Sequence, residues 1–318
     1  MHVPADPLVS VLLPVWNGEP FLGAAIDSIT AQTFPAFELI VIDDGSSDGS
    51  LAIARRAADR DRRIAVLPLP HQGLASALNA GIAAARGRHL ARMDADDCAA
   101  PTRLARQVAH FEAHPGCVVV GSAIEVVDAE DRRLGITHFP TAHGDIVAAL
   151  AGGRSGLAHP AVLMRRDAVA AVGGYRAGAF PSEDLDLWLR LRHHGEFANI
   201  DEPLLRYRRH PAAVGVRERG RQLAATRALV AEARAEAGRP PARRLRLRGA
   251  VDAAPAYHFE CARIALRGGE QRTAMRHAWV AITAAPGWIP PYAVLAACFV
   301  PTRAVALLAR LFTRIATS

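Results

Sequence analysis

Leu8-Val9-Ser10-Val11-Leu12-Leu13-Pro14-Val15, followed by Trp16-Asn17-Gly18, is the stretch that decides the fold. An apolar run of strand length that stops at Asn-Gly reads as a strand buried on both faces, the kind found inside parallel sheets. The pattern then repeats. Phe21, Ala24, Ala25, Ser28 and Ile29 recur at helical spacing. Glu38-Leu39-Ile40-Val41-Ile42-Asp43 is a second buried strand, closed by the turn-forming run Asp44-Gly45-Ser46-Ser47-Asp48-Gly49. Residues 51–59 predict a helix with Ser47 or Asp48 as its N-cap, and residues 64–67 a third strand. Residues 74–85 predict a helix stopped by Gly87, and residues 89–93 a fourth strand running into Asp94-Ala95-Asp96-Asp97. Such alternation through residue 130 predicts a mostly parallel α/β sheet with right-handed crossovers. Ligands of such sheets bind at the carboxyl ends of the strands. Three of those ends carry polar clusters, at Asn17, at Asp43-Asp44 and at Asp94 to Asp97.

Past residue 131 the alternation loosens. Residues 182–192 predict a helix, with Leu185, Trp188, Leu189 and Arg192 on related turns, and from about Arg217 the composition shifts to Ala and Arg at helical spacing. Arg239-Pro240-Pro241 reads as a connector. Residues 257–286 read as two helices around Gly268-Gly269, with Ala274, Ala281 and Pro286 where a tetratricopeptide-like unit would place them. A solenoid needs about three such units, so this is a helical appendage. The expected domains are residues 1–215 and a helical region, 216–318.

The 318 residues include 38 basic and 31 acidic side chains, a formal +7, and every basic one is arginine. With 51% hydrophobic residues the chain is neither disordered nor a disulfide scaffold. Cys98, Cys117, Cys261 and Cys298 form no Cys-x-x-Cys pair, which argues against structural zinc and for a reducing compartment. The N-terminal residues have no basic leader or small-residue cleavage site, and no apolar run is long enough to span a bilayer. A cytoplasmic location is expected. The arginines are scattered and not interleaved with aromatics, so nucleic acid is not the expected partner.

Two carboxylates at i and i+2 of an extended segment face one side, so Asp94 and Asp96 suit a hard divalent cation. Asp-rich loops also make Asx turns and helix caps, and the motif alone does not separate the readings. Asp43-Asp44-Gly45 is equally a tight turn before a helix. Glu183-Asp184 sits where a helix dipole favours acids, or where one carboxylate acts as general base. His159-Pro160 and His210-Pro211 are each as readily packing residues as ligands.

The order of these pieces carries more than any one of them. Residues 10–19, Gln32-Thr33-Phe34, residues 37–46, Ala77-Leu78-Asn79-Ala80-Gly81, residues 91–97 and Arg103-Leu104 appear in sequence. They are followed by residues 159–164, Gly173-Gly174-Tyr175, residues 182–190 and Tyr207-Arg208. Over roughly residues 8–210 this series strongly resembles glycosyltransferase family 2. The resemblance implies a GT-A fold and inverting transfer of a sugar from a nucleoside diphosphate to an acceptor hydroxyl. It implies that Pro14 and Trp16 line the nucleobase pocket, Asp43 bonds the base, Asp94 holds ribose or sugar, and Asp96 ligates Mn²⁺ or Mg²⁺. His210 is implied as a further metal or phosphate contact, and Asp184 as the general base. The donor-binding set extends to Val15, Asn17, Glu19, Asp44, Asn79 and Ala95, and the acceptor side to His159, Glu183 and Trp188. Two departures, Leu78 where many relatives have Arg and Trp16 in place of Tyr, bear on the base; a UDP-sugar stands first, ahead of TDP and GDP donors.

A glycan or lipid-linked acceptor of the cell envelope is expected. A metal-dependent nucleotidyltransferase would show a Gly-rich basic loop after the first strand, where this chain has Asn17-Gly18-Glu19-Pro20. A phosphohydrolase would place its nucleophile there. A catalytically inactive nucleotide-binding scaffold would not need Asp94, Asp96 and Asp184. In residues 303–315, Arg303, Arg310 and Arg314 fall on one side of a helical wheel and Val305, Leu308, Leu311, Phe312 and Ile315 on another. That segment is expected either to pack on the preceding helices or to lie on a membrane surface.

Overall fold

The computed structural model describes residues 6–213, 218–236, 238 and 253–299. The connector at 239–241 and the segment 303–315 lie outside the described residues. β1 (Val9–Val15) and β2 (Phe37–Asp44) are buried along their whole length, as their mostly apolar runs predict, with Ser10, Glu38, Asp43 and Asp44 buried among them. β3 (Ile64–Leu69) is the edge strand, half exposed, and tolerates Pro68 there. β4 (His89–Arg92) lies on the other side of β1. The helices that cross between them are α1 (Glu19–Thr30), α2 (Ser50–Arg60) and α3 (Leu74–Ala84).

Two local readings shift. Of the expected α1 stripe Ala25 and Ile29 are buried, while Leu22 and Ile26 are buried in place of Phe21 and Ala24. The N-cap of α2 is Gly49, not Ser47 or Asp48. Asp48 instead accepts from the backbone N–H groups of Ser50 and Glu19 at 3.0 Å each.

The parallel part of the sheet is β3-β2-β1-β4. Later strands extend it: β5 (Cys98–Ala99), β6 (Cys117–Val127), β7 (Arg133–Thr137), β8 (Leu163–Arg165) and β9 (Glu196–Arg208). The nine strands run β3-β2-β1-β4-β8-β6-β9-β5, with β7 paired to β6; β4–β8, β6–β8 and β5–β9 are antiparallel. Around them pack α4 (Arg103–Ala113), α5 (His143–Ala151), α6 (Arg166–Ala171), α7 (Glu183–Leu191) and α8 (Arg219–Glu236). Leu12, Ile42, Leu78, Leu90, Met164, Trp188 and Phe197 belong to the main core.

The order β3-β2-β1-β4 places the topological switch point between β1 and β4. Their pairing ends at Leu12–Arg92, while β1 stays paired to β2 through Val15. Pro14 lies past that last β4 pairing, where a missing N–H is tolerated. The two chains part there, and a crevice at the carboxyl ends of β1 and β4 follows.

Residues group into two compact units. One takes the chain through Ile124, then Thr137–Tyr207, and the helix α8. The other takes Glu125–Ile136, the residues from Arg208, and three helices, α9 (Ala253–Arg267), α10 (Gln271–Ala284) and α11 (Pro290–Ala297). Phe259, Ala262, Ala278, Ala281 and Val294 form the core of this second unit. Its polar centre is Asp128, fully buried, bonded to His277, which shares a hydrogen bond of 2.9 Å with His258. Gly268 is required where α9 ends, since a Cβ there would stand 2.4 Å from the Leu134 carbonyl oxygen.

At the amino end of the sheet, Ser10 donates to Glu38 at 2.6 Å and accepts from the Gly87 N–H at 2.8 Å. Arg86 gives Glu38 both its backbone N–H and its guanidinium, each at 2.8 Å. Burial alone would raise the Glu38 carboxyl, yet these donors outweigh it and hold the group below its ordinary value. Because the folded value is depressed, the stabilisation is complete above the unfolded value near 4.5 and is lost as pH falls through the folded one. We expect Glu38→Gln to cost about 2 kcal/mol at neutral pH. Urea denaturation as a function of pH checks this, with the gap between the two proteins closing at acid pH.

Candidate active site

The loop after β1 is fastened to the loop after β2. Asn17, at φ +52°, accepts from the Ser47 N–H at 2.8 Å and donates its own N–H to Ser46. The Gly18 N–H donates to Ser50 at 2.9 Å, and the Glu19 carboxylate accepts from the Gly49 N–H at 2.9 Å. Trp16, half exposed, stacks on His71 with ring centroids 4.7 Å apart. Beneath them Asp43 is 2% exposed, and its Oδ1 has no hydrogen-bond partner among the described residues. A buried carboxylate oxygen next to an open aromatic face suits a planar ligand edge bearing an N–H.

Across the crevice the chain leaves β4 into a turn closed by an Asp97 N–H to Asp94 carbonyl bond of 3.4 Å. Carboxylate oxygens of Asp94, Asp96 and Asp97 all lie within 4.8 Å of one another. It is a turn, rather than the expected extended i, i+2 geometry, that gathers them, and it brings in Asp97, which the Asp-x-Asp reading left out. Two buried arginines stand under this cluster. Arg92 is 3% exposed, with Nη1 at 2.5 Å from Asp94 Oδ2. Arg103 is fully buried and donates to the Arg92 and Val162 carbonyls at 2.7 and 3.2 Å. Burial pushes Arg103 down to about 9, against the pull of Asp97. Burial lifts the Asp94 carboxyl above its usual range; Arg92 opposes this, while Asp96 and Asp184 add to it.

Asp184 lies in the first turn of α7, near enough for its charge to act on Asp94. It is half-buried, and one oxygen accepts from the Leu185 N–H at 2.7 Å. Burial raises its pKa. Glu183 is 6% exposed with Oε2 unpartnered among the described residues, and burial with the Asp184 charge brings it to about 7. Asp186 is different, held by Arg190 at 2.6 Å and Arg176 at 3.3 Å.

Several expected contacts turn out to be framework. Both oxygens of Asp44 accept backbone N–H groups, from Gln72 and Gly73 at 2.9 Å, because the chain must be capped where it enters α3. Asn79 clasps Tyr175 with both amide atoms, at 2.8 and 2.9 Å. Asn17 and Glu19 are committed to the loop contacts above. Trp188 is 1% exposed, edge-on to His159 and Phe197, so it supports α7 and cannot touch an acceptor. His159 is also buried, bonded to the Tyr175 hydroxyl at 2.7 Å, and burial keeps its pKa low. Pro14 and Val15 are buried beneath the crevice, whereas Ala95 lies in the turn beside Gly18. His210 follows β9 in the second unit and is not in the acidic cluster.

The family model for Glycosyl transferase family 2 matches residues 10–173, which hold the β1 loop, Asp43 and the acidic turn. The chain belongs to glycosyltransferase family 2. This glycosyltransferase is 35% identical over 209 residues to the putative glycosyltransferase EpsE of Bacillus subtilis, covering 64% of this chain and 74% of that one. It is 30% identical over 207 residues to the O-antigen biosynthesis glycosyltransferase WbnJ of Escherichia coli, covering 64% and 80%. Among solved structures, S. aureus TarS residues 1–349 in complex with UDP aligns with a TM-score of 0.55 at 16% identity, over 91% of this chain and 90% of that one. The mannosyltransferase PcManGT from Pyrobaculum calidifontis, in complex with GDP-Man and Mn²⁺, aligns with a TM-score of 0.53 at 20% identity, over 92% and 79%. The fold is thus the expected GT-A type, a mixed α/β sheet with C-terminal helices appended.

The sequence assigns no role to His71 or Arg92, and marks Asp97 only as part of the polar cluster. The last two had a signal, an arginine two residues before the first acid and a third acid after it. His71 had none, since its stacking on Trp16 joins loops distant in sequence. For Asn79→Ala in this glycosyltransferase we expect a stability loss of about 2 kcal/mol, from leaving two Tyr175 backbone groups unpaired. Urea denaturation measures it; a loss of nucleotide affinity with unchanged stability would make Asn79 a donor contact after all.

Proposed function

We propose that this glycosyltransferase moves a sugar, with inversion, from a nucleoside-diphosphate sugar to an acceptor hydroxyl. The observation that carries this reading is the gathering of the Asp94, Asp96 and Asp97 carboxylates at the carboxyl end of β4, with the Asp184 charge near enough to raise Asp94. Trp16 offers the stacking face for the base, and the unpartnered Asp43 oxygen accepts its N–H. Asp184 takes the proton from the acceptor hydroxyl, whose oxygen attacks the anomeric carbon. The bond from that carbon to the diphosphate oxygen breaks in the same displacement, so one base and no enzyme nucleophile are needed. Glu183, near 7, is partly neutral at physiological pH and so limits the negative charge beside Asp184.

An all-oxygen cluster fits a hard cation such as Mn²⁺ or Mg²⁺, held by Asp96 with Asp94 and Asp97 beside it. When bound, such an ion neutralises charge growing on the leaving diphosphate. The solved complexes of similar fold with UDP, and with GDP-Man and Mn²⁺, support a nucleotide-sugar donor, with a UDP-sugar first. The O-antigen biosynthesis glycosyltransferase WbnJ and the amylovoran biosynthesis glycosyltransferase AmsE support a role in polysaccharide synthesis, and for this chain we propose a glycan or lipid-linked acceptor of the cell envelope, reached from the cytoplasmic side. We assign the transfer chemistry to residues 1–215 and read 216–318 as the helical region. His210 remains a proposed phosphate or metal contact.

Donor hydrolysis over a panel of nucleotide sugars with Mn²⁺ tests this. Asp96→Ala should lower turnover by about a hundredfold or more with the fold intact, and EDTA should abolish activity. Full activity in EDTA contradicts the metal assignment.

The base is tested separately. Asp184→Asn should lose about a hundredfold or more in transfer while nucleotide affinity survives. Wild-type turnover should rise with pH, since the base acts deprotonated and burial raises its pKa. Glu183→Gln, locked neutral, should stay active; an inactive Glu183→Gln beside an active Asp184→Asn would exchange the two roles.

A further inference from the structure

The last 48 residues, 271–318, hold five of the chain's 38 arginines and none of its 31 acids, whereas the preceding 270 hold 33 against all 31. The described part of this stretch also exposes large apolar side chains. On α10 the outward face carries Arg272, Arg276, Trp279 and Thr283, a helical i, i+4, i+7, i+11 stripe, opposite the buried Ala274, His277, Ala278 and Ala281. Trp279 is 60% exposed. Neither Arg272 nor Arg276 is paired with an acid among the described residues. On α11, which packs against α10, Ile289, Tyr292, Ala296 and Phe299 form a second outward stripe, with Ile289 at 77% and Phe299 at 75% exposure. Trp288 marks the contrast: it packs edge-on against Phe259, with ring centroids 4.8 Å apart.

We propose that the outward faces of α10 and α11 dock this enzyme on an anionic lipid bilayer. The chemistry selects that partner on two counts. A face that joins Trp, Tyr, Phe and Ile to unpaired arginines has an apolar part for the acyl boundary and a cationic part for headgroups. Removing every acid over 48 residues removes the repulsion that an anionic surface would otherwise meet. No described helix is long and apolar enough to cross a membrane, so the contact is peripheral. The proposal rests on this surface alone and does not depend on the identity of donor or base.

Flotation of the full chain with phosphatidylglycerol–phosphatidylcholine vesicles tests it, with pure phosphatidylcholine vesicles as the comparison. The protein should float with the anionic vesicles at low salt, and high salt should reduce binding strongly. Trp279→Ser with Phe299→Ser should weaken partitioning about tenfold or more, and Arg272→Gln with Arg276→Gln about tenfold. Donor hydrolysis by each double variant should equal wild type, which shows that it is folded. Wild type that stays at the bottom of the gradient overturns the proposal, and so do variants that float as wild type does. A wild-type dimer in light scattering that becomes monomeric in Trp279→Ser/Phe299→Ser, without flotation, overturns it in favour of self-association.

Discussion

Three carboxylates crowd one turn, and the pairing of Asp94 with the buried Arg92 is what makes that crowding tolerable. Like charges within 4.8 Å repel strongly in a partly desolvated site. Arg92 offsets this from below at 2.5 Å, and Arg103 adds a second buried cation while bonding the Arg92 carbonyl. Arg103 in turn touches Gln107, whose amide holds the Val120 and Ala161 carbonyls. The charge balance of the site is therefore tied to the packing of α4, β6 and the chain leading into β8. Removing Arg92 would leave the half-buried Asp94 without its cation among two further carboxylates, a costlier change than losing a surface pair.

The division of labour follows from where the sheet splits. β1 and β4 stop pairing at Leu12–Arg92, and from there the two chains diverge to line the crevice. One lip carries Trp16 over His71 with Asp43 beneath; the other carries the acidic turn. Asp184 reaches the crevice from α7, whose register is set by Trp188 in the core and by the Asp186–Arg190 pair. The proposed base is thus held on a helix start, not on a loop.

Much of this was legible in the residues alone. Apolar runs such as residues 39–42 have few alternatives to a doubly buried strand, and the polar clusters at their ends marked the crevice. The turn at Asp94 was misjudged as extended because spacing specifies which residues are close in sequence, not how the backbone bends between them. Motif membership does not by itself specify contact with ligand: Asn79, Asp44, Asn17 and Glu19 belong to the ordered series, and their polar atoms hold backbone groups of other segments. A recurring polar residue at a strand end serves either ligand or loop, and only its partners distinguish the two. Trp188 lay on the correct helix but on its inner face, since an acidic first turn says nothing of which side the next turn buries.

We propose that the split between β1 and β4 is a nucleoside-diphosphate site whose nucleobase end is Asp43. Calorimetric titration of UDP, GDP and dTDP into the full chain, with and without Mn²⁺, and into Asp43→Ala, tests it most directly. The account predicts that one diphosphate binds, more tightly with the cation, and that Asp43→Ala weakens it by about tenfold, the loss of one charge-assisted hydrogen bond. Binding that is equal in Asp43→Ala, or no binding of any of the three with Mn²⁺ present, would contradict it.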